Sequence, residues 1–152
     1  MNFIKKEIRE LANTYVNGEM DRDLLIQKAN QYYKLDTYHK EGIFFNLLEE
    51  LFEDPEDNEL LVTRESIIRV LDSYIQNSIS LEGVELWFWD VQNLNTPGDD
   101  SEEKLIFYLL SLFDNMEING ITGIHMTEVN EILKNVQYAE FALGEIKRIF
   151  GE

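Results

Sequence analysis

A chain of 152 residues with no cysteine and a formal net charge of −17 excludes disulfide frameworks, thiolate metal sites and cysteine nucleophiles. Its charge balance also lacks the basic footprint that direct binding of a phosphate backbone needs. Hydrophobic residues make up 44% and aromatics 12%, enough for one domain over residues 1–152 to bury roughly 70% of the surface its unfolded chain exposes.

The N-terminal residues Met1 to Glu10 are charged throughout and carry neither the apolar run nor the small-residue cleavage site of a signal peptide. No stretch reaches the ~20 apolar residues of a membrane span, so the expected compartment is the cytoplasm. Asn2 to Asn17 reads as a helix with Ile4, Ile8, Leu11 and Tyr15 on one face, and Asn17-Gly18 suits its end. Asp21 or Asp23 can cap a second helix, with Leu25, Ala29 and Tyr32 inward and Tyr33 at the border. Asp36 or Thr37 can cap a third that runs to about Glu53. Phe44, Leu47, Leu48 and Leu51 form its stripe, and Asp54-Pro55 stops it, because the residue before proline is pushed out of the α region.

Residues 54–61 read as a loop. Thr63 is then a good N-cap, and Val62 with Ile67 has hydrophobic-staple spacing. The fourth helix should turn Ile67, Leu71, Tyr74 and Ile75 inward and end near Asn77. Ser80 caps a fifth, which holds both tryptophans. Leu81, Val84, Trp87, Phe88, Val91 and Leu94 fall on one wide stripe of this tryptophan helix. Leu86 and Trp89 fall on the opposite side, beside Glu82 and Asn93. A helix apolar on two sides is either packed between neighbours or presents one side to a partner.

Residues Asn95 to Asp99 are the clearest loop. Asp100 and Glu103 have capping-box spacing for a sixth helix that is apolar all round from Leu105 to Phe113, and Asn119-Gly120 ends it. Residues 121–126 are a connector or a short strand. Thr127 caps the last segment. There Val129, Ile132, Val136, Ala139, Leu143, Ile146 and Phe150 recur at alternating spacings of three and four, a pattern that suits one helix of about six turns. It packs along the domain or forms the seam of a homodimer, and Asn135 and Gly144 are breakers that could split it. The expected fold is an all-α, single-domain bundle of six to seven helices around a central tryptophan-rich helix, with short connections.

The charge is unevenly spread. Residues 1–40 carry seven basic and six acidic side chains, residues 41–103 two and seventeen, and residues 104–152 four and seven, for nets of +1, −15 and −3. Within Glu49 to Glu59, seven of eleven side chains are carboxylates. Such a run is a solvated helix end and loop, or an anionic patch that docks a basic surface. An EF-hand register over Asp54, Glu56, Asn58 and Glu65 puts Glu59 where glycine is needed and starts a helix inside the loop, which argues against calcium. Asp99, Asp100, Glu102 and Glu103 suit helix capping. His39 and His125 belong to no metal-ligand motif, and there is no phosphate-cradling glycine loop, nucleophile elbow or triad. No cofactor is expected.

The candidate partner-binding residues are therefore Glu49, Glu50, Glu53, Glu56, Asp57 and Glu59, followed by Glu82, Glu85 and Trp89. A small, helical, cysteine-free and strongly acidic chain with Trp87, Trp89 and the Glu49–Glu59 run resembles bacterial toxin-immunity proteins of the colicin and contact-dependent-inhibition type. The likeness is one of kind over the whole chain and carries no family's binding residues across. It implies a non-catalytic protein that binds one cognate toxin domain, often a basic nuclease, and covers its active site or a nearby surface. The other readings are a helical adaptor that binds through an apolar groove and a carboxylate-based metal protein. Direct nucleic-acid and membrane binding are not expected, because an anionic surface repels both.

Overall fold

Side-chain oxygens at the starts of the helices fix much of the architecture of the computed structural model, which describes residues 3–35, 37–53, 59–96 and 98–152. Among these residues the chain forms eight α-helices: α1 (Phe3–Val16), α2 (Arg22–Asn30), α3 (Ile43–Leu51), α4 (Arg64–Ile75), α5 (Leu81–Val91), α6 (Asp100–Phe113), α7 (Gly123–Asn135) and α8 (Ala139–Ile149). A 3₁₀ turn, Lys40–Gly42, leads into α3. Asp21 accepts from the Asp23 amide at 3.2 Å, Thr63 from Ser66 at 3.0 Å, Ser80 from Gly83 at 3.0 Å and Asp99 from Glu102 at 2.9 Å. Each bond satisfies an amide that the helix itself leaves without a partner.

Several boundaries differ from the sequence expectation. The third helix starts only at Ile43. Thr37 is exposed and caps nothing, and Asp36 lies outside the described residues, as do Asp54 and Pro55. Asp99 rather than Asp100 caps α6, which ends at Phe113, before Asn119-Gly120. The last segment begins at Thr122, whose amide donates to His125 Nδ1 at 3.0 Å. Thr127 lies inside α7 and its hydroxyl donates back to the Gly123 carbonyl at 3.2 Å, a bond open to threonine within a helix. Residues 121–126 thus supply a connector and the first turn of α7.

The helix count exceeds the expected six to seven because the C-terminal pattern is two helices. Val136 (φ −102, ψ 102) and Tyr138 (φ −80, ψ 123) are extended, so the chain leaves the helix after Asn135, one of the two candidate breakers. Gly144 sits inside α8 without interrupting it. Val129, Ala139 and Ile146 are buried, while Ile132, Val136, Leu143 and Phe150 pack partly buried against the same core. The stripe is thus divided between two helices rather than carried by one of about six turns.

The core centres on α5. Val84, Trp87, Phe88 and Val91 are buried, as is Leu94 just beyond the helix, whereas Leu81 at its start is exposed. Phe88 stacks on Phe113 of α6 with ring centroids 4.8 Å apart, and Trp87 meets Phe88 edge-on at 5.0 Å, both favoured aromatic arrangements. Helix α6 buries Leu105, Ile106, Leu109, Leu110 and Phe113 between α5 and α8, but Phe107 faces outward. It is therefore not enclosed on all sides. Tyr32 and Ile75, expected inward, are also exposed. Gly18 makes the turn between α1 and α2 at φ +80, where a Cβ would lie 2.8 Å from the Ser66 carbonyl oxygen; the turn needs both the left-handed backbone and the missing side chain. Among the described residues no strand forms, only one isolated bridge between Leu61 and Asn95. Among the same residues no helix is long and apolar enough to cross a membrane.

Candidate functional site

Two neighbouring surface features hold carboxylates singled out in the sequence together with two exposed aromatics, Phe45 and Trp89. The first is the outer side of α3 and of the 3₁₀ turn before it. Glu41, Phe45 and Glu49 recur at four-residue spacing and all three are exposed, which puts them along one side of the element. Glu50, Glu53 and Glu59 are exposed as well. Glu56 and Asp57 lie outside the described residues. On α5, Trp89 is 38% exposed, and its indole N–H donates to the Glu41 carbonyl at 2.9 Å. That bond joins the tryptophan to the 3₁₀ turn that leads into α3. Trp89 is therefore neither free nor buried: one edge is anchored and the rest faces water.

The five ion pairs among the described residues decide how much of this charge is neutralised from within. They are Arg22–Asp90, Lys40–Glu82, Arg64–Glu102, Arg69–Glu19 and Lys134–Asp72. Glu49, Glu50, Glu53 and Glu59 appear in none of them. The two cations of the acidic middle segment serve the fold instead. Arg64 forks onto both carboxylate oxygens of Glu102 at 3.0 Å, and its remaining nitrogen donates to the Leu133 and Val136 carbonyls. Arg69 reaches the Asn17 carbonyl at 3.0 Å and Glu19 at 3.6 Å. Arg9 comes near the acidic end of α3, but it donates to the Leu51 carbonyl and lies over the Phe52 ring at 4.6 Å, a cation at a helix C-terminus.

The second predicted group is used differently. Glu82 pairs with Lys40 at 2.9 Å, the side chains 62% and 64% exposed. Hydrogen bonding to Glu82 holds the Lys40 ammonium above its ordinary pKa, and the same bond holds the Glu82 carboxyl below its own. Glu85 is half-buried and accepts from the Met116 amide at 2.9 Å, tying α5 to the turn after α6. Asp99 caps α6, and Glu102 pairs with Arg64, a contact the sequence did not suggest.

The second feature is a cleft of about 790 Å³ bounded by the α1–α2 turn, the 3₁₀ turn, the end of α4 and the start of α5. Met20, Ile43, Val70, Ile79, Leu86 and Trp87 give it apolar walls; Glu19, Asp21, Asp23 and Glu82 bring carboxylates to it, and Lys40 lies among them. Its size is that of a small-ligand site, and a few polar groups on apolar walls are the usual lining of one.

Beneath it lies a cluster absent from the sequence expectation. Asp90 receives Arg22 Nε at 2.7 Å and Nη2 at 3.1 Å, and the Tyr15 hydroxyl at 2.5 Å. Arg22 also donates to the Lys40 carbonyl at 2.5 Å, and the Trp87 indole donates to the Tyr15 carbonyl at 3.1 Å. Burial pushes the Asp90 carboxyl up, against the Arg22 and Tyr15 bonds that favour the anion. Burial, followed by the Asp90 charge, lifts the Tyr15 hydroxyl well above its ordinary value. With a guanidinium forked onto it, the charged pair is the state that fits this geometry. The one signal in the sequence was a carboxylate three residues after Trp87, on the buried side of α5.

Neither histidine is placed for metal chemistry. His125 caps α7, and the His39 ring lies edge-on to Tyr38 at 4.9 Å. Among the described residues no group of three or more histidine, aspartate or glutamate side chains is arranged to hold a metal ion. Protein-family models, curated proteins and solved structures yield no match to this chain.

Proposed function

We propose that the chain is a non-catalytic binding protein that docks a basic protein surface on the acidic, aromatic-edged face of α3 and α5, and that it acts as an immunity protein toward a basic toxin domain. The observation that carries this reading is the set Glu49, Glu50, Glu53 and Glu59, exposed and outside every ion pair among the described residues. Arg9, the cation beside the end of α3, is engaged with the Leu51 carbonyl and the Phe52 ring. A nuclease attracts phosphate with lysines and arginines, and a carboxylate array offers the same sign of charge without a cleavable bond. Rim carboxylates set the encounter rate and a desolvated aromatic sets the lifetime; Trp89 and Phe45 are the aromatics in position to do so.

The test uses a partner recovered from the source cells by pull-down at low salt, with binding measured for the wild-type chain, a Glu49→Lys/Glu53→Lys variant and a Trp89→Ala variant. Docking through charge predicts loss of binding on charge reversal. A second reading, an adaptor that binds through apolar contacts, is favoured by the exposure of Phe45 at 54% and of Trp89. It predicts that charge reversal is silent while Trp89→Ala and Phe45→Ala abolish binding.

A further inference from the structure

The cleft beside the docking face contains a cation supplied by the chain itself. The Lys40 ammonium sits 2.9 Å from Glu82 Oε1, and both residues line the cleft. The other cation there, Arg22, is forked onto the buried Asp90 carboxylate. The remaining charged lining residues, Glu19, Asp21 and Asp23, are acids. Of these, Glu19 has only the 3.6 Å approach of Arg69, and Asp21 accepts a single amide bond as the cap of α2. The lining mixes apolar side chains with the hydroxyls of Ser73, Ser78 and Ser80, and the nearly buried Trp87 and Tyr15 rings also border it. Apolar side chains with carboxylates around them match one kind of group: a long aliphatic stem that ends in a positive charge, which buries its methylenes and keeps its head among acids.

We infer that this cleft receives a lysine side chain of the basic partner, and that Lys40 occupies its position on Glu82 until the partner displaces it. The inference rests on the reading of the protein as a receptor for a basic surface and adds the site at which one partner residue is read. The incoming ammonium replaces that of Lys40 on Glu82, and its stem covers the Leu86 and Ile79 wall. Exchange of one exposed ion pair for another is close to neutral in energy, so selectivity comes from the apolar stem and from the acids around the opening.

The two indole N–H resonances provide the test. Trp87 lies in the cleft, whereas Trp89 lies outside it against Glu41. The intact protein is titrated with a blocked tripeptide carrying a central lysine, and separately with the same tripeptide carrying norleucine. Expected are a saturable shift of the Trp87 indole with the lysine peptide and a much smaller one with norleucine. Glu82→Gln should weaken lysine-peptide binding about two- to fivefold and Lys40→Met should strengthen it by a similar factor. Lys147→Met, which makes the same charge change on α8, should leave it unchanged. Equal responses to lysine and norleucine, or equal effects of Lys40→Met and Lys147→Met, would overturn the cleft assignment. Shifts confined to Trp89 and the amides of Glu49, Glu50 and Glu53 would overturn it too, while leaving the acidic face as the docking surface. No response of either indole or of those amides would count against both.

Discussion

At the residue scale, Asp90 shows how a single side chain joins fold and site. It fastens α5 to Tyr15 of α1 and Arg22 of α2, and Arg22 in turn holds the 3₁₀ turn through the Lys40 carbonyl. The side chains of the pair are 10% and 0% exposed, so removing Asp90 leaves the mostly buried Arg22 guanidinium without its counter-ion. Asp90→Ala should therefore destabilise the protein by about 3–5 kcal/mol, measured by denaturant unfolding. Replacing both members with apolar residues, Arg22→Met with Asp90→Leu, should restore much of that loss. Asp72 offers a test of opposite sign. Partial burial raises its pKa, but hydrogen bonds from Lys134 and Asn130 and the Lys134 charge outweigh that and leave it below its ordinary value. A depressed carboxyl stabilises the fold above its unfolded pKa and gives up that stability as pH falls through the folded one. The wild-type protein should lose stability over that acid range more steeply than Asp72→Asn, as read from unfolding midpoints across pH. None of these partners was legible in the sequence, because Arg22 and Asp90 lie 68 positions apart and Asp72 and Lys134 lie 62 apart. Spacing rules see only a turn or two along the chain.

At the scale of elements, local chemistry was read best where a cap and a stripe agree. Thr63 and Ser80 cap the helices they were expected to cap, and Val62 and Ile67 are both buried beside the first of these caps. Asp99 and Asp100 are chemically equivalent as caps, and the choice between them depends on how the preceding loop delivers the chain. The split between α7 and α8 was hidden for a different reason. The three-and-four spacing of apolar residues runs straight through Val136, because the two helices present their stripes to one core. Arg64 marks the break: it bonds the Leu133 and Val136 carbonyls at the end of α7 while gripping Glu102 at the start of α6. Loss of hydrogen bonds to a charged group costs about 1.5–3 kcal/mol. Arg64→Met should lower stability by at least that amount. It should also speed hydrogen exchange at the last amides of α7, where the carbonyl partners are lost, ahead of any change in α1.

At the scale of the whole molecule, the net charge of −17 is distributed rather than uniform. Arg9, Arg22, Arg64 and Arg69 tie elements together, and the carboxylates at the end of α3 face water. This division was partly visible in composition, since residues 41–103 hold seventeen acids and two bases. Composition did not show that both bases would be drawn onto Glu102, Glu19 and backbone carbonyls, or that Glu49, Glu50, Glu53 and Glu59 would stand outside the ion pairs of the described residues. Nor did it show that Glu82 would be matched by Lys40 or that Glu85 would serve the Met116 amide. The carboxylates left without an internal ion pair are therefore weighted toward the end of α3.

The most direct measurement is the association rate with the partner that the chain captures from its source cells, followed as ionic strength rises. Steering by the α3 carboxylates predicts a rate approaching about 10⁸–10⁹ M⁻¹s⁻¹ at low salt and a steep fall as the ~10 Å screening length at 0.1 M is reached. Glu49→Lys with Glu53→Lys should flatten that dependence and leave the dissociation rate nearly unchanged. A rate that is indifferent to salt, and equal in the charge-reversed protein, would contradict the account.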